Sequence, residues 1–124
     1  MIRQLSATLV TCLLTGFAPA GALAAQADYA GSWSVLVVTT SGNCDKAFRY
    51  SVNIARNGVI TYGGPSDFTA SGRVAANGAV RVRIARGSDY AQGSGRLRGA
   101  RGSGSWESPS GGCRGRWQAD RRSS

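Results

Sequence analysis

Carboxylates and arginines are the side chains in this sequence that could do chemistry, because the chain contains no histidine. That absence excludes Ser-His-Asp and Cys-His nucleophilic catalysis as well as histidine-based metal sites. Two acids, Asp45 and Glu107, could serve glycoside hydrolysis at a suitable separation. Oxygen ligands could hold calcium, but the acids lack the spacing of a calcium-binding loop. We therefore expect no enzyme, no bound metal and no cofactor.

Four of the six acids fall in glycine- and serine-rich segments that interrupt apolar stretches. These segments read TSGNCD, GGPSD, RGSDY and ESPSGGC. Binding residues are often carried by loops that a rigid scaffold presents. The candidate binding residues are therefore Asn43, Asp45, Asp67, Arg86, Asp89 and Glu107. The alternative for Asp67 and Asp89 is a turn role, in which each carboxylate accepts hydrogen bonds from backbone amides at a strand start.

The first 25 residues are typical of a secretory signal peptide. Arg3 precedes an apolar run from Leu5 to Phe17, and the following APAGALAA offers Ala-x-Ala cleavage signals. The run is shorter than the roughly 20 apolar residues that a membrane-spanning helix needs. We expect a periplasmic or secreted protein that does not span the membrane, with residues 26–124 as its single domain.

Arginine dominates the charge of the exported part. Removing Arg3 leaves fourteen basic residues, thirteen of them arginine, against six acids, a net charge near +8. Arginine pairs bidentately with phosphate and carboxylate, which favours association with polyanions such as an anionic envelope polymer. The outward-facing candidates are Arg73, Arg81, Arg83, Arg96, Arg98, Arg114 and Arg116. The alternative is a solvated face that prevents association between sheets, and export makes intracellular nucleic acid an unexpected partner.

Two cysteines, Cys44 and Cys113, follow the signal peptide. Exported proteins form disulfides, so one bridge between them is the expected state. Two thiols without histidine are too few ligands for zinc. In the chain-entropy description, a loop of about 70 residues closed by this bridge contributes about 4 kcal/mol to stability.

Short alternating apolar segments separated by glycine-rich turns predict an antiparallel all-β domain. The predicted strands span residues 31–39, 46–55, 59–63, 67–75, 79–86, 90–98, 101–107 and 114–121. Eight consecutive strands predict a small up-and-down β-barrel, a monomer whose last residues, from about 121, are disordered. Strands that alternate up and down collect the tight turns at one end and the four glycine- and serine-rich loops at the other.

Two Asn-Gly pairs predict the register of the hairpins that they connect. A three-residue loop ending at Gly58 pairs Ile54 with Ile60, and a loop ending at Gly78 repeats this with Val74 and Val80. The predicted interior follows from the same alternation and consists of Trp33, Val35, Val37, Phe48, Tyr50, Val52, Ile54, Ile60, Tyr62, Phe68, Val74, Val80, Val82, Ile84, Tyr90, Leu97, Trp106 and Trp117.

The segment GSGRLRGARGSGSW, residues 93–106, mixes glycine and arginine as an RNA-binding tail would. A two-residue turn at residues 99–100 instead makes it a hairpin that sets Gly93 opposite Trp106, so that strand glycines make room for large side chains. SDYAQGSGRL also resembles the earlier SDFTASGRV with one extra residue. The extra residue predicts a β-bulge at Gly93 that lets both Tyr90 and Leu97 face inward.

Gly31-Ser32-Trp33, at the start of the first predicted strand, resembles the Gly-x-Trp start of lipocalin- and avidin-type (calycin) barrels. The resemblance covers this motif and the eight-strand pattern, and the Thr-Asp-Tyr motif typical of lipocalins is missing. Size, export signal and single disulfide are also similar to those of small periplasmic metalloprotease inhibitors. The resemblance implies that Trp33 plugs the barrel base and that the mouth binds a small ligand or a protease.

The leading hypothesis is an exported, non-enzymatic binding module that takes an unknown small ligand or protein at its loop-bearing end. One alternative is a basic protein that binds a polyanion through the arginine-rich outer wall. Another is an inhibitor of a protease or of a cell-wall lytic enzyme.

Overall fold

The computed structural model describes residues 21, 25, 28–64 and 67–124, and the predicted signal peptide lies outside them apart from Gly21 and Ala25. The strands are β1 Gly31–Ser41, β2 Ala47–Ile54, β3 Ile60–Tyr62, β4 Thr69–Val74, β5 Ala79–Arg86, β6 Asp89–Arg98, β7 Arg101–Ser108 and β8 Cys113–Ser123. All eight predicted strands are confirmed. Among the described residues, no helix is long and apolar enough to cross a bilayer.

The strands form one antiparallel sheet in the order β3-β2-β1-β8-β7-β6-β5-β4. Consecutive strands therefore pair with each other except β3 and β4, which are the two edges of the sheet, and the first strand pairs with the last, as in an up-and-down barrel. The two sheet edges, β3 and β4, meet at a Val59–Arg73 bridge. The Val74 amide also donates to the Gly58 carbonyl at 2.8 Å. The result is a nearly closed eight-stranded barrel, which confirms the predicted fold.

The connections sort to two ends of the barrel. The turns after β2, β4 and β6 lie at one end, which we call the base. The connections after β1, β3, β5 and β7 lie at the other end, which we call the mouth. Three of the mouth connections are longer than a tight turn, while β5 and β6 are joined by a two-residue turn at Gly87 and Ser88. The predicted sorting of the connections to two ends is confirmed, but the prediction of a longer loop at RGSDY is wrong, because Arg86 pairs directly with Asp89.

Local turn chemistry sets the register at the base. Ile54 lies opposite Ile60, as predicted, and Gly58 has a φ of 86°, in the left-handed region that favours glycine. The side-chain oxygen of Asn57 accepts a hydrogen bond from the Val59 amide at 3.1 Å. The second Asn-Gly turn repeats the same geometry twenty residues later, with the predicted pairing of β4 and β5.

Glycines in β6 and β7 accommodate the Trp117 indole on the inner wall. Gly95 lies opposite Gly104, as predicted from the hairpin register. A Cβ at Gly95 would lie 2.5 Å from Cζ2 of Trp117, and one at Gly104 would lie 2.6 Å from Nε1. The indole N–H donates to the Ser94 carbonyl at 3.1 Å. The glycine- and arginine-rich segment is therefore barrel wall, with its glycines under a tryptophan.

Trp106 is also accommodated by a strand glycine, but its indole lies toward β8 and β1, whereas that of Trp117 lies toward β7 and β6. The Trp106 indole crosses from β7 over Gly115 in β8, where an added Cβ would lie 2.9 Å from Nε1. Its N–H donates to the Val38 carbonyl in β1 at 3.1 Å. Both indoles thus lie along the wall rather than across the barrel, which leaves the centre open.

The predicted bulge at Gly93 is wrong. Strand β6 pairs with β5 without a register shift from Arg86–Asp89 onward. The two-residue turn between these strands places Tyr90 on the outer face, where the Arg83 guanidinium lies 4.4 Å from its ring centroid. The extra residue changes where β6 begins instead of interrupting the strand, so Ala91 takes the inward position that was predicted for Tyr90.

The end of the chain also differs from the prediction of disorder from about residue 121. Strand β8 continues to Ser123, which pairs with Ser32. The Arg121 guanidinium donates to the carbonyls of Ala30 and Gly99 and lies 5.2 Å from the Trp33 ring centroid. These contacts connect β8 with the chain segments at the base and extend the strand.

Most of the buried core lies at the base. Trp33 is 1% exposed, and its indole N–H donates to the Tyr29 carbonyl at 2.9 Å. The other residues of the buried cluster are Ile54, Ile60, Val74, Val80, Leu97, Trp117 and Ala119. Since most of them sit at the ends of strands next to the tight turns, Trp33 and its neighbours close the base, as predicted. The apolar residues nearer the mouth are only half-buried, because the barrel is open at that end.

Candidate binding site

Above the closed base, the barrel encloses a cavity of about 590 Å³. An eight-stranded barrel is just wide enough to be filled by its side chains or to hold one small ligand. Here the indoles lie against the wall and short residues occupy β6, so space remains. The middle of the wall is formed by half-buried apolar side chains, namely Val35, Val37, Val52, Val82, Ile84, Ala91 and Trp106.

Four aromatic rings follow one another on the side where the barrel is least complete. Ring centroids are 4.6 Å apart for Phe48 and Tyr50, 5.7 Å for Tyr50 and Tyr62, and 6.3 Å for Tyr62 and Phe68. We call these four residues the aromatic ladder. Strand β3 has three residues, so the upper part of the seam between β3 and β4 is bridged by the Tyr62–Phe68 ring contact. Phe48, 47% exposed, lies at the rim rather than in the predicted interior.

The rim of the cavity carries charged side chains from three of the mouth segments. Asp45, Arg86 and Asp89 all line the cavity. Arg86 Nε lies 3.2 Å from Asp67 Oδ2, and its guanidinium lies 5.3 Å from the Phe68 ring centroid. Among the residues that the structure describes, Asp45 and Asp89 have no ion-pair partner. The uncompensated charge at the rim is therefore negative.

Burial raises the pKa of the Tyr50 phenol above its ordinary value of 10.0, with smaller contributions from Tyr62 and from the carboxylate of Asp45. A phenol is neutral at physiological pH without this shift, and the shift leaves it so. A ligand that enters the cavity at this side meets ring faces and a carboxylate together.

Two predicted binding residues lie away from the cavity. Asn43 borders a groove beside the β1–β2 loop, together with Lys46. Glu107 lies on the outer face of β7, opposite Arg114 in β8, because its two sequence neighbours face inward. The rim of the cavity therefore brings together four of the six predicted residues, and the carboxylates of Asp45 and Glu107 do not face a common space.

The predicted disulfide is confirmed, and it lies at the mouth. Cys44, in the loop after β1, is bonded to Cys113 at the start of β8. The loop after β7 is also attached to the wall, since Ser108 Oγ donates to the Tyr90 carbonyl at 2.7 Å and Ser110 Oγ accepts from the Tyr90 amide at 3.0 Å. Two of the mouth loops are thus connected to neighbouring strands.

The seven candidate wall arginines all lie on the outer face and are exposed, as the alternation predicted. Within residues 28–64 and 67–124, the ion pairs are Arg86–Asp67 and Arg101–Asp120. None of the seven takes part in either pair. Their charge is therefore presented to solvent without an ion pair in this part of the chain, and Arg114 has Glu107 opposite it on the neighbouring strand.

Sequence reasoning missed several contributors to the cavity, among them Ala91, Ser108 and Ala119. Inward- and outward-facing residues alternate along β6 without interruption, so Ala91 shares the inner face with Asp89 and Gly93. A bulge at Gly93 would break this alternation, and predicting one therefore hides the inward position of Ala91. Across the described part of the chain, no group of three or more cysteines and acids is placed to hold a metal ion.

These features define a small antiparallel β-barrel that is closed at its base and has an apolar cavity open at its mouth. No protein-family model matches the chain, and a search of curated proteins finds no significant match.

Proposed function

We propose that this protein is an exported binding module that holds one small, largely apolar molecule inside the barrel. The cavity carries the proposal. Its volume of about 590 Å³ falls within the range of about 300–1,000 Å³ that is typical of small-molecule sites, and such sites combine apolar walls with a few polar groups. The Gly31-Ser32-Trp33 start, which resembles that of lipocalin- and avidin-type barrels, supports the same function. Export rests on the signal-peptide pattern of residues 1–25.

The rim indicates which end group the ligand carries. Arg86 is already engaged by Asp67 and Phe68, whereas Asp45 and Asp89 are free of ion pairs within the described residues. Aromatic faces also attract cations within about 6 Å of the ring. We therefore expect a ligand with an apolar body in the cavity and an amine, rather than a carboxylate, at the mouth.

Replacing Ala91 with phenylalanine is expected to weaken ligand binding by about tenfold or more, equivalent to about 1.4 kcal/mol. Ala91 faces the cavity opposite Ile84, so the added ring occupies the space that a ligand needs. The measurement is a fluorescence titration of the oxidised mature protein with the neutral apolar probe N-phenyl-1-naphthylamine.

The matched control is Ser103→Phe, which adds the same ring to the exposed outer face of β7. This control is expected to bind the probe like the unmodified protein. Equal binding by both variants, or no saturable binding by the unmodified protein, would rule out the cavity as the site. Displacement of the probe by dodecylamine and by dodecanoate then tests the end group, and stronger displacement by dodecanoate would contradict the amine assignment alone.

A further inference from the structure

A second concave surface lies on the outer wall, on the opposite side of the sheet from the cavity. It is a groove of about 680 Å³ that runs over the outer faces of β5 to β8. Its lining includes Arg81, Arg83 and Arg114, with Ser94 and Ser105 between them. The side chains of the cavity and of this groove lie on opposite faces of the same strands, so a substitution in the groove does not fill the cavity.

The strand register explains the shape of the groove. One row across the sheet runs Arg83, Gln92, Glu107, Arg114, and the next runs Arg81, Ser94, Ser105, Arg116. Adjacent strands lie about 4.8 Å apart, so each row separates its two arginines by on the order of 14 Å. Shorter side chains lie between the long ones. The groove therefore has a polar floor and two basic edges.

The arginines at the two edges form no ion pair within the described residues, although Glu107 lies opposite Arg114. Arg73 lies directly opposite Arg81 in the β4–β5 pair, an arrangement of like charges that destabilises a sheet. Neither has an ion-pair partner in the part of the chain that the structure describes. Arg83 is held over the Tyr90 ring at 4.4 Å, which orders its guanidinium without neutralising it. Within the described residues, the lining of the groove contains one acidic residue, Glu107, and three arginines, so its net charge is positive. An anionic ligand would remove the repulsion between these positions.

We propose that this groove binds a linear anionic polysaccharide. Its carboxylate or sulfate groups pair with the guanidinium groups at the two edges, where arginine offers bidentate hydrogen bonds. Its sugar hydroxyls meet the floor of Ser94, Ser105 and Gln92 side chains. The site is separate from the cavity and independent of the ligand proposed for it.

A single-stranded nucleic acid fits this surface less well. Proteins that bind single strands usually stack bases on aromatic side chains. On the described outer wall of β4 to β8, the outward-facing aromatic residue is Tyr90, and Arg83 covers its ring. Trp106 also borders the groove, but its side chain faces inward and its indole N–H donates to the Val38 carbonyl. The floor instead offers hydroxyl and amide groups, which suit a sugar chain.

The test compares binding of heparin, polygalacturonate and polydeoxythymidylate by the oxidised mature protein and by two double variants. Arg81→Gln with Arg114→Gln removes one charge from each edge of the groove. Arg56→Gln with Arg122→Gln removes the same charge from exposed positions outside its lining. All four substitutions are on exposed side chains, and an unchanged far-UV circular dichroism spectrum with an unchanged urea-unfolding midpoint reports that each variant is folded.

We expect the groove variant to bind a glycan at least about tenfold more weakly and with a shallower salt dependence, since fewer counterions are released. The control variant should lose about twofold or less. A preference for heparin indicates sulfate at the edges, and a preference for polygalacturonate indicates carboxylate. Equal losses in the two variants would mean attraction by net charge alone and would overturn the proposal. So would absence of glycan binding, or tighter binding of polydeoxythymidylate than of both glycans.

Discussion

Replacing Gly104 with valine is expected to lower the free energy of unfolding by about 3 kcal/mol, the upper part of the usual range for overpacking a protein interior. A Cβ at this position would lie 2.6 Å from Nε1 of Trp117 and would also contact the Ser94 carbonyl. The indole would have to leave the wall, and its hydrogen bond to that carbonyl would be lost. Urea denaturation followed by tryptophan fluorescence measures the change.

The control for this substitution is Ser103→Val, one residue earlier in β7. Ser103 faces outward and is exposed, so valine there meets no indole and has the same preference for strand structure. We expect a change within about 0.5 kcal/mol, as for most surface substitutions. Similar losses for Gly104→Val and Ser103→Val would show that the glycine is not needed to accommodate Trp117.

Removing the disulfide by the double substitution Cys44→Ala and Cys113→Ala is expected to cost about 4 kcal/mol. The bridge joins residues separated by 69 positions, and the unfolded chain gains much freedom when a loop of that length is opened. A domain of this size has a net stability of about 5–15 kcal/mol, so the loss is a large share of the total. Urea denaturation at constant pH measures it.

The same double variant should also bind N-phenyl-1-naphthylamine more weakly than the oxidised protein, because the bridge holds the loop after β1 at the mouth of the cavity. Unmodified protein treated with a reducing agent provides the control, and it should approach the variant in stability. A loss below about 1 kcal/mol would show that native contacts, rather than the cross-link, hold this loop.

Features that depend on local turn chemistry could be predicted from the sequence. Asn-Gly at residues 57–58 determines both the turn and the face on which Ile54 and Ile60 lie, because the left-handed glycine and the asparagine side chain act within a few residues. The hairpin at residues 99–100 is predictable for the same reason. From these registers the alternation assigns the inner and outer faces of the strands around the turns.

Features that depend on the partner strand were harder to predict. Whether the extra residue in SDYAQGSGRL forms a bulge is decided by pairing with β5, and the tight turn at Gly87 places Tyr90 outside. Proximity to a loop predicts Glu107 at the mouth, although its position between two inward-facing neighbours turns its side chain outward. The size of the cavity depends on how two indoles lie against the wall, which is a property of the assembled barrel.

A spin-labelled alkylamine gives the most direct evidence for a ligand inside the barrel, with side-chain methyl signals of β1 as the readout. Val35 and Val37 line the cavity, whereas Leu36 and Val38 lie on the outer face of the same strand. We expect the label to broaden the methyl signals of Val35 and Val37 and to leave those of Leu36 and Val38 much less affected. Equal broadening of all four residues, or broadening confined to Leu36 and Val38, would contradict a ligand site within the barrel.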